Sequence, residues 1–278
     1  MTQSGAYSVL MPLAPWEPPE QVAMALASLE SQTLPPTQVV VSCDGAPHEG
    51  LNQVLCSTCL PVIIILGPGE EGVGPVLARG LEHCTEDLVV RADADDLSIP
   101  ERCEIQVKAM IENPKLAVMS STILEFIDDP YQPFQIRDVP PGGHQLYNYS
   151  RWRNPINHPA AILRRKTILD HGNYRNCPGF EDYDLWLRLL KNGIDLDNLQ
   201  TPLVLARVGA NHIKRRHGLA YAIKEAKFLK TCGTENLMSW QLVAFLLASR
   251  TPMRLLPKGF QHYVTKKFLR AKIAQKTR

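Results

Sequence analysis

The sequence predicts an α/β fold: a mostly parallel sheet with helices on both faces, followed by a helical appendage. Three observations predict it. Short apolar runs of strand length alternate with segments whose apolar residues recur three and four apart, the signature of strand–helix–strand crossovers. Acidic residues gather just after two of those runs, where sheets of this kind bind ligands. From His217 onward the strand alternation stops and the chain reads as helical.

Tyr7 to Leu13 is an apolar run closed by Pro15 and Trp16, a buried strand entering a loop. Pro18 and Pro19 suit a helix start, and Val22, Ala25, Leu26 and Leu29 form one stripe facing a core. Strands follow at Gln38 to Ser42, Pro61 to Leu66 and Leu88 to Ala92, with helices near Leu51 to Cys59 and Val73 to Cys84 between them. Ser98 and Glu101 have the spacing of a capping box, which predicts a helix from there to about Asn113. A strand near Leu116 to Ser121 leads into a Pro- and Gly-rich stretch, Asp128 to Gly143, expected to be a long surface loop of the kind that serves as a lid. Ala160 to Leu163 reads as a further strand. Phe180, Tyr183, Trp186, Leu187 and Leu190 make a helical stripe that puts Glu181 and Asp182 in its first turn.

The expected division is a sheet domain over residues 1–216 and a helical extension over 217–278. Charge separates the two. Nine Lys or Arg residues and no Asp or Glu lie between Asn236 and Arg278, which leaves 21 basic against 28 acidic residues in the rest. Leu237 to Ala248 is apolar but shorter than the roughly 20 residues a membrane-spanning helix needs. With Trp240, Phe245, Phe260, Tyr263 and Phe268 among the cations, the extension suits an interfacial helix on anionic lipid, and no nucleic-acid-binding motif accompanies it. Seven cysteines and an N-terminus without a basic-then-apolar leader point to a reducing, cytoplasmic setting. Cys56 and Cys59 form a lone CxxC, read as helix-packing cysteines for want of a second pair.

The densest chemistry is Asp93-Ala94-Asp95-Asp96. Three carboxylates within four residues repel one another unless a cation relieves them, and all-oxygen donors select Mg²⁺ or Mn²⁺. The alternative is a solvated acidic loop. An EF-hand is excluded, because it needs Asp or Asn at Leu97 and Gly at Ser98. Gly67-Pro68-Gly69 lacks the Lys of a phosphate loop and reads as a turn. Asp44, before Gly45, reads either as a ribose or base contact or as a turn residue. Glu181 and Asp182 offer a general base for deprotonating a hydroxyl, or simply complement the helix dipole. His158 lies in a polar turn, and His212 among Lys214, Arg215 and Arg216 is a candidate metal or diphosphate contact.

Five segments in this order resemble glycosyltransferase family 2: Ser8 to Leu13; Ser28 to Leu34 leading to Asp44-Gly45; Asp93-Ala94-Asp95-Asp96, which contains a D-x-D motif; Asn154 to Pro159; and Glu181 to Arg188. The resemblance spans about Tyr7 to Arg216 and implies a Rossmann-like fold of the GT-A type. It implies an inverting transfer of a sugar from a nucleotide-diphosphate donor, a UDP-sugar foremost, to a glycan or lipid-linked saccharide in cell-surface polysaccharide synthesis. By the same resemblance Pro12, Leu13, Ala14, Asp44, Asp93 and Ala94 would bind the nucleotide sugar, and Asp93, Asp95 and His212 would hold Mn²⁺ or Mg²⁺. Asp182 would be the base, with His158, Glu181 and Trp186 on the acceptor side. Ala14-Pro15-Trp16, Glu70-Glu71-Gly72 and Gly209 depart from the family pattern. A sugar-nucleotide pyrophosphorylase is the enzyme alternative, which would want a basic Gly-rich loop after the first strand. A non-catalytic carbohydrate-binding member of the fold is the other.

Overall fold

The computed structural model describes residues 5–209 and 218–255. The chain divides into two compact units, 1–208 and 209–278. In the first, β1 (Ser8–Leu13), β2 (Gln38–Cys43), β3 (Val62–Leu66) and β4 (Leu88–Arg91) alternate with α1 (Pro19–Glu30), α2 (Glu49–Ser57) and α3 (Val73–His83). There follow β5 (Leu97–Ser98), α4 (Arg102–Glu112), β6 (Leu116–Phe126), β7 (Gln135–Arg137), α5 (His144–Ser150), β8 (Ile162–Arg164), α6 (Arg165–Asp170), α7 (Glu181–Lys191) and β9 (Asp195–Arg207). The strands make one mixed, mostly parallel sheet in the order β3-β2-β1-β4-β8-β6-β9-β5, with β7 paired to β6.

Strand alternation builds a core on each face of this sheet. Val39 and Val41 of β2 pack with Val9 and Met11 of β1 against α1, α2 and α4. Val40 and Leu10 face the other way, onto α3 and α7 through Leu77, Leu81, Leu185 and Leu189. A strand covered on both faces is apolar at every position, which is why β2 reads as a continuous run. Gly80 brings α3 against the sheet, since a Cβ there would lie 2.4 Å from Leu10 Cδ1 and 2.8 Å from Ser42 Cβ.

Because β1, β2 and β4 run parallel, their carboxyl ends share one edge, and the antiparallel β8 brings the turn that precedes it to that same edge. β6 and β9 pair in parallel from Leu116 and Asp195 to Phe126 and Arg207, with register shifts around Thr122 that bend the ladder. β9 then pairs antiparallel with β5, just past the acidic cluster.

Four expectations are corrected. The helix expected at Ser98 begins at Arg102, with Glu101 as a cap that makes no side-chain bond. Leu97 and Ser98 pair instead with Leu205 and Val204, and the Ser98 hydroxyl accepts from Arg102 Nη1, so sheet pairing displaces the capping box. The strand expected to end at Ser121 continues to Phe126 because β9, which periodicity does not announce, extends beside it. The loop expected over Asp128 to Gly143 contains β7, a hairpin partner of β6. Cys56 and Cys59 do not pack: both are exposed and free.

The second unit has α8 (Leu219–Thr234) and α9 (Trp240–Leu255) as an antiparallel hairpin. Buried Glu225 accepts from Arg250 and Arg254, and the Arg254 guanidinium also lies over the Tyr221 ring at 4.8 Å. No helix among the described residues is long and apolar enough to cross a membrane. His212, the boundary at 216–217 and the basic segment 256–278 lie outside the described residues.

Candidate active site

The shared strand edge is built from main-chain bonds outward. Asp44 N donates to Leu13 O, and Ala92 N donates to Leu10 O, which locks the ends of β1, β2 and β4 together. Leu13 is fully buried, so its backbone, not its side chain, faces the edge, while Pro12 and Ala14 are half-buried. The Asp44 carboxylate accepts from Glu71 N at 3.0 Å and Gly72 N at 3.2 Å, so it shapes the loop after β3. In that loop Glu71 is paired with Arg79 at 2.6 Å, which cancels its charge at the edge.

Beyond β4, oxygen atoms of Asp93, Asp95 and Asp96 all lie within 4.8 Å of one another. Ala94 is buried between them. Asp96 is buried as well, and its Oδ1 accepts from Arg207 N at 2.7 Å, tying the cluster to the end of β9. Asp93 is paired with the buried Arg91. Burial first, and then the Asp93 charge, pushes Asp95 up to about 6. The same causes, with Asp95 added, push Asp96 well above the usual carboxylate range. Carboxylates held this close, on oxygen donors alone, fit a hard divalent cation. Asp93 and Asp95 are the half-exposed pair open to it; Asp96 is occupied with β9.

Arg91 links this cluster to a second group. Burial opposes its charge, but Asp93, Tyr174 and Asp96 hold its pKa above the ordinary value. His158 is buried between Tyr174 and Trp186, with ring centroids at 5.5 and 5.9 Å, and its Nε2 lies 2.9 Å from the Tyr174 hydroxyl. Burial and then Arg91 drive the His158 pKa well down, so the ring is neutral. Trp186 is fully buried, which makes it floor under His158 and not an exposed platform.

At the start of α7, Asp182 Oδ2 accepts from Asn154 Nδ2 at 2.6 Å and its Oδ1 from Tyr183 N at 2.7 Å. Glu181 Oε2 accepts from Gly179 N. Burial and then the Asp182 charge push Glu181 up to about 7. A carboxyl raised in the fold contributes stability that is fully present below about pH 4.5 and lost as pH rises through about 7. Glu181→Gln is therefore expected to flatten the fall in melting temperature between pH 5 and 8; parallel profiles for the two proteins would contradict this.

Two site residues give no sequence signal of their role. Arg102, buried in α4, donates to Ser98 Oγ, Gln106 Oε1, Arg91 O and Pro159 O, so it clamps the end of β4 to the turn before β8. Arg91 could have been found as the one charge inside an apolar strand. Asn157 holds the same turn, donating to Ser121 O and Arg137 O.

An α/β sheet with an acidic cluster beyond β4 and a second carboxylate pair on α7 makes a candidate active site. The family is set by comparison: residues 16–172 match the model of glycosyl transferase family 2, and the chain belongs to that family. It is 35% identical to the Escherichia coli UDP-Gal:alpha-D-GlcNAc-diphosphoundecaprenol beta-1,3-galactosyltransferase, over 95% of this chain and 96% of that one. It is 31% identical to the amylovoran biosynthesis glycosyltransferase AmsE of Erwinia amylovora, over 94% of this chain and 98% of that one. Among solved structures, residues 1–349 of S. aureus TarS share its fold with TM-score 0.61 at 16% identity, covering 98% of this chain and 75% of that one. The same protein in complex with UDP has TM-score 0.57 at 18% identity, covering 82% and 72%.

Proposed function

We propose that this enzyme transfers a sugar, with inversion, from a UDP-sugar to a hydroxyl of a lipid-linked saccharide during cell-surface polysaccharide synthesis, on the cytoplasmic side of the membrane. The observation that carries the reading is the placement of Asp93 and Asp95 beyond β4 beside Arg91, with Asp182 of α7 reached through Tyr174, which neighbours both Arg91 and Asp182. The likeness to a transferase named for UDP-Gal and a diphosphoundecaprenol acceptor supports the donor and acceptor classes. Residues 1–216 would hold the catalytic unit and 217–278 a separate extension.

In this reading Pro12, Leu13, Ala14 and Asp44 line the nucleotide end of the edge, through backbone more than side chain. Asp93 and Asp95 would hold Mn²⁺ or Mg²⁺, with Ala94 between them at the donor; His212 is proposed as a further ligand. When bound there, such a cation would supply positive charge to offset that of the leaving diphosphate. Asp182 takes the proton from the acceptor hydroxyl as its oxygen bonds to the anomeric carbon and the carbon–diphosphate bond breaks. Asn154 aims that carboxylate. Glu181 lines the acceptor side, and neutral His158, backed by Trp186, supplies an uncharged wall there. Because the nucleophile is the acceptor itself, one base suffices and no sugar–enzyme bond forms.

A thermal-shift series with UDP-, GDP- and dTDP-sugars in Mn²⁺ tests the donor. A UDP-sugar at 100 times its Kd is expected to stabilise the fold by about 2.7 kcal/mol. Equal or greater stabilisation by a GDP- or dTDP-sugar would reassign the nucleotide.

A further inference from the structure

We infer that the α8–α9 hairpin is itself a docking surface for an anionic lipid bilayer. The sequence concentrates basic residues beyond Asn236, but the structure redistributes the charge. Arg250 and Arg254, two of the nine cations there, are taken up inside the hairpin by Glu225 and Tyr221. The outward charge lies instead on α8, where Lys224, Lys227 and Lys230 are exposed at intervals of three. The one acid of α8, Glu225, is buried. Every charge on the exposed face of α8 is thus cationic, set among uncharged Leu219, Ala220, Ile223 and Thr234.

α9 supplies the other half of an interfacial site. None of its exposed residues is charged, and they include Trp240, Phe245, Met253 and Leu255. Trp240 is 55% exposed yet held in place, because its indole lies against Gly233, where an added Cβ would come within 3.0 Å of the ring. A fixed, half-wet indole on an uncharged helix face, in a hairpin whose other helix carries a lysine row, matches the acyl–headgroup boundary, where apolar side chains enter and ammonium groups meet phosphate. Residues 256–278, outside the described structure, add seven more cations and no acid. Charge complementarity therefore selects anionic lipid as the occupant. The inference rests on the transferase reading only for its purpose, which is to hold the catalytic unit at a membrane-embedded acceptor.

The test uses the full chain with phosphatidylcholine vesicles containing about 30% phosphatidylglycerol, against pure phosphatidylcholine, by co-sedimentation at low and high salt. The wild type is expected to bind the anionic vesicles, less so in high salt. With each surface lysine worth about fivefold, Lys224→Gln/Lys227→Gln/Lys230→Gln is expected to weaken that binding on the order of 100-fold. Phe245→Ser is expected to weaken it about tenfold by loss of apolar burial. Both variants should keep the wild-type melting temperature and nucleoside diphosphate release, the readout that belongs to the transferase reading. Equal binding of wild type and triple variant, or equal binding to neutral and anionic vesicles, would overturn the proposal. So would a dimer in ultracentrifugation that Phe245→Ser dissolves while vesicle binding stays intact, since it would assign the face to a second copy.

Discussion

Asp95→Ala is expected to lower Mn²⁺-dependent release of nucleoside diphosphate by roughly 10³-fold, the scale on which charge-stabilising groups act in transfer reactions. Asp95 has a raised pKa. Its carboxylate is disfavoured by burial and by Asp93, so in the cation-free protein it weakens the fold as pH climbs through about 6. Removing it should leave the cation-free protein as stable as the wild type, or more so, at pH 8. The two measurements then pull apart: activity collapses while the melting temperature holds or rises. Mn²⁺ should raise the melting temperature of the wild type and leave that of the variant nearly unchanged. Turnover by the wild type that persists in chelator would sink the cation assignment, and a variant that unfolds early would sink the electrostatic account.

Asp182→Asn is expected to reduce turnover by about 10²- to 10⁴-fold, with little change in Mn²⁺ binding. Asparagine keeps the shape and an acceptor oxygen for Asn154 Nδ2, which now meets Asp182 Oδ2 at 2.6 Å, so the turn that carries Asn154 stays in register. The proton acceptor is lost, and with it the local bond from Tyr183 N to Oδ1, which an amide nitrogen cannot accept. A matched fall in turnover for Glu181→Gln would shift the base to Glu181, whose pKa of about 7 makes it the rival candidate. Asp182→Asn at full turnover would remove the base altogether.

The parts of this molecule that the sequence makes legible are those in which one force dominates. Val39, Val40 and Val41 are apolar because both sheet faces are covered, and their run announces the strand. The stripe on α1, from Val22 to Leu29, is read as easily. β9 is hidden because Asp195, Asp197, Asn198 and Pro202 interrupt it, and its pairing with β6 is set by a partner some eighty residues earlier in the chain. The acidic cluster is legible as a motif and Arg91 as the one charge in an apolar run, but Arg102 is not. A charged residue in a helix or at a strand end looks like surface until the carbonyls it serves, such as Arg91 O and Pro159 O, are brought to it by the fold. Asp44 shows a different limit: its position leaves a ligand contact and a turn residue equally open, and only the fold reveals that both oxygens accept from the backbone of Glu71 and Gly72.

The bond from Arg207 N to Asp96 bears on how portable the site is. Its two residues stand 111 positions apart, and one of them is the last residue of β9, the strand between β6 and β5. A tetrapeptide carrying Asp-Ala-Asp-Asp, grafted onto another loop or cut out as a peptide, would lack the main-chain donor that turns the third carboxylate inward. It would present three acids to solvent, free to move apart. The arrangement of the three carboxylates is thus a property of the assembled sheet, and the four residues of the motif hold only part of the instructions for making it.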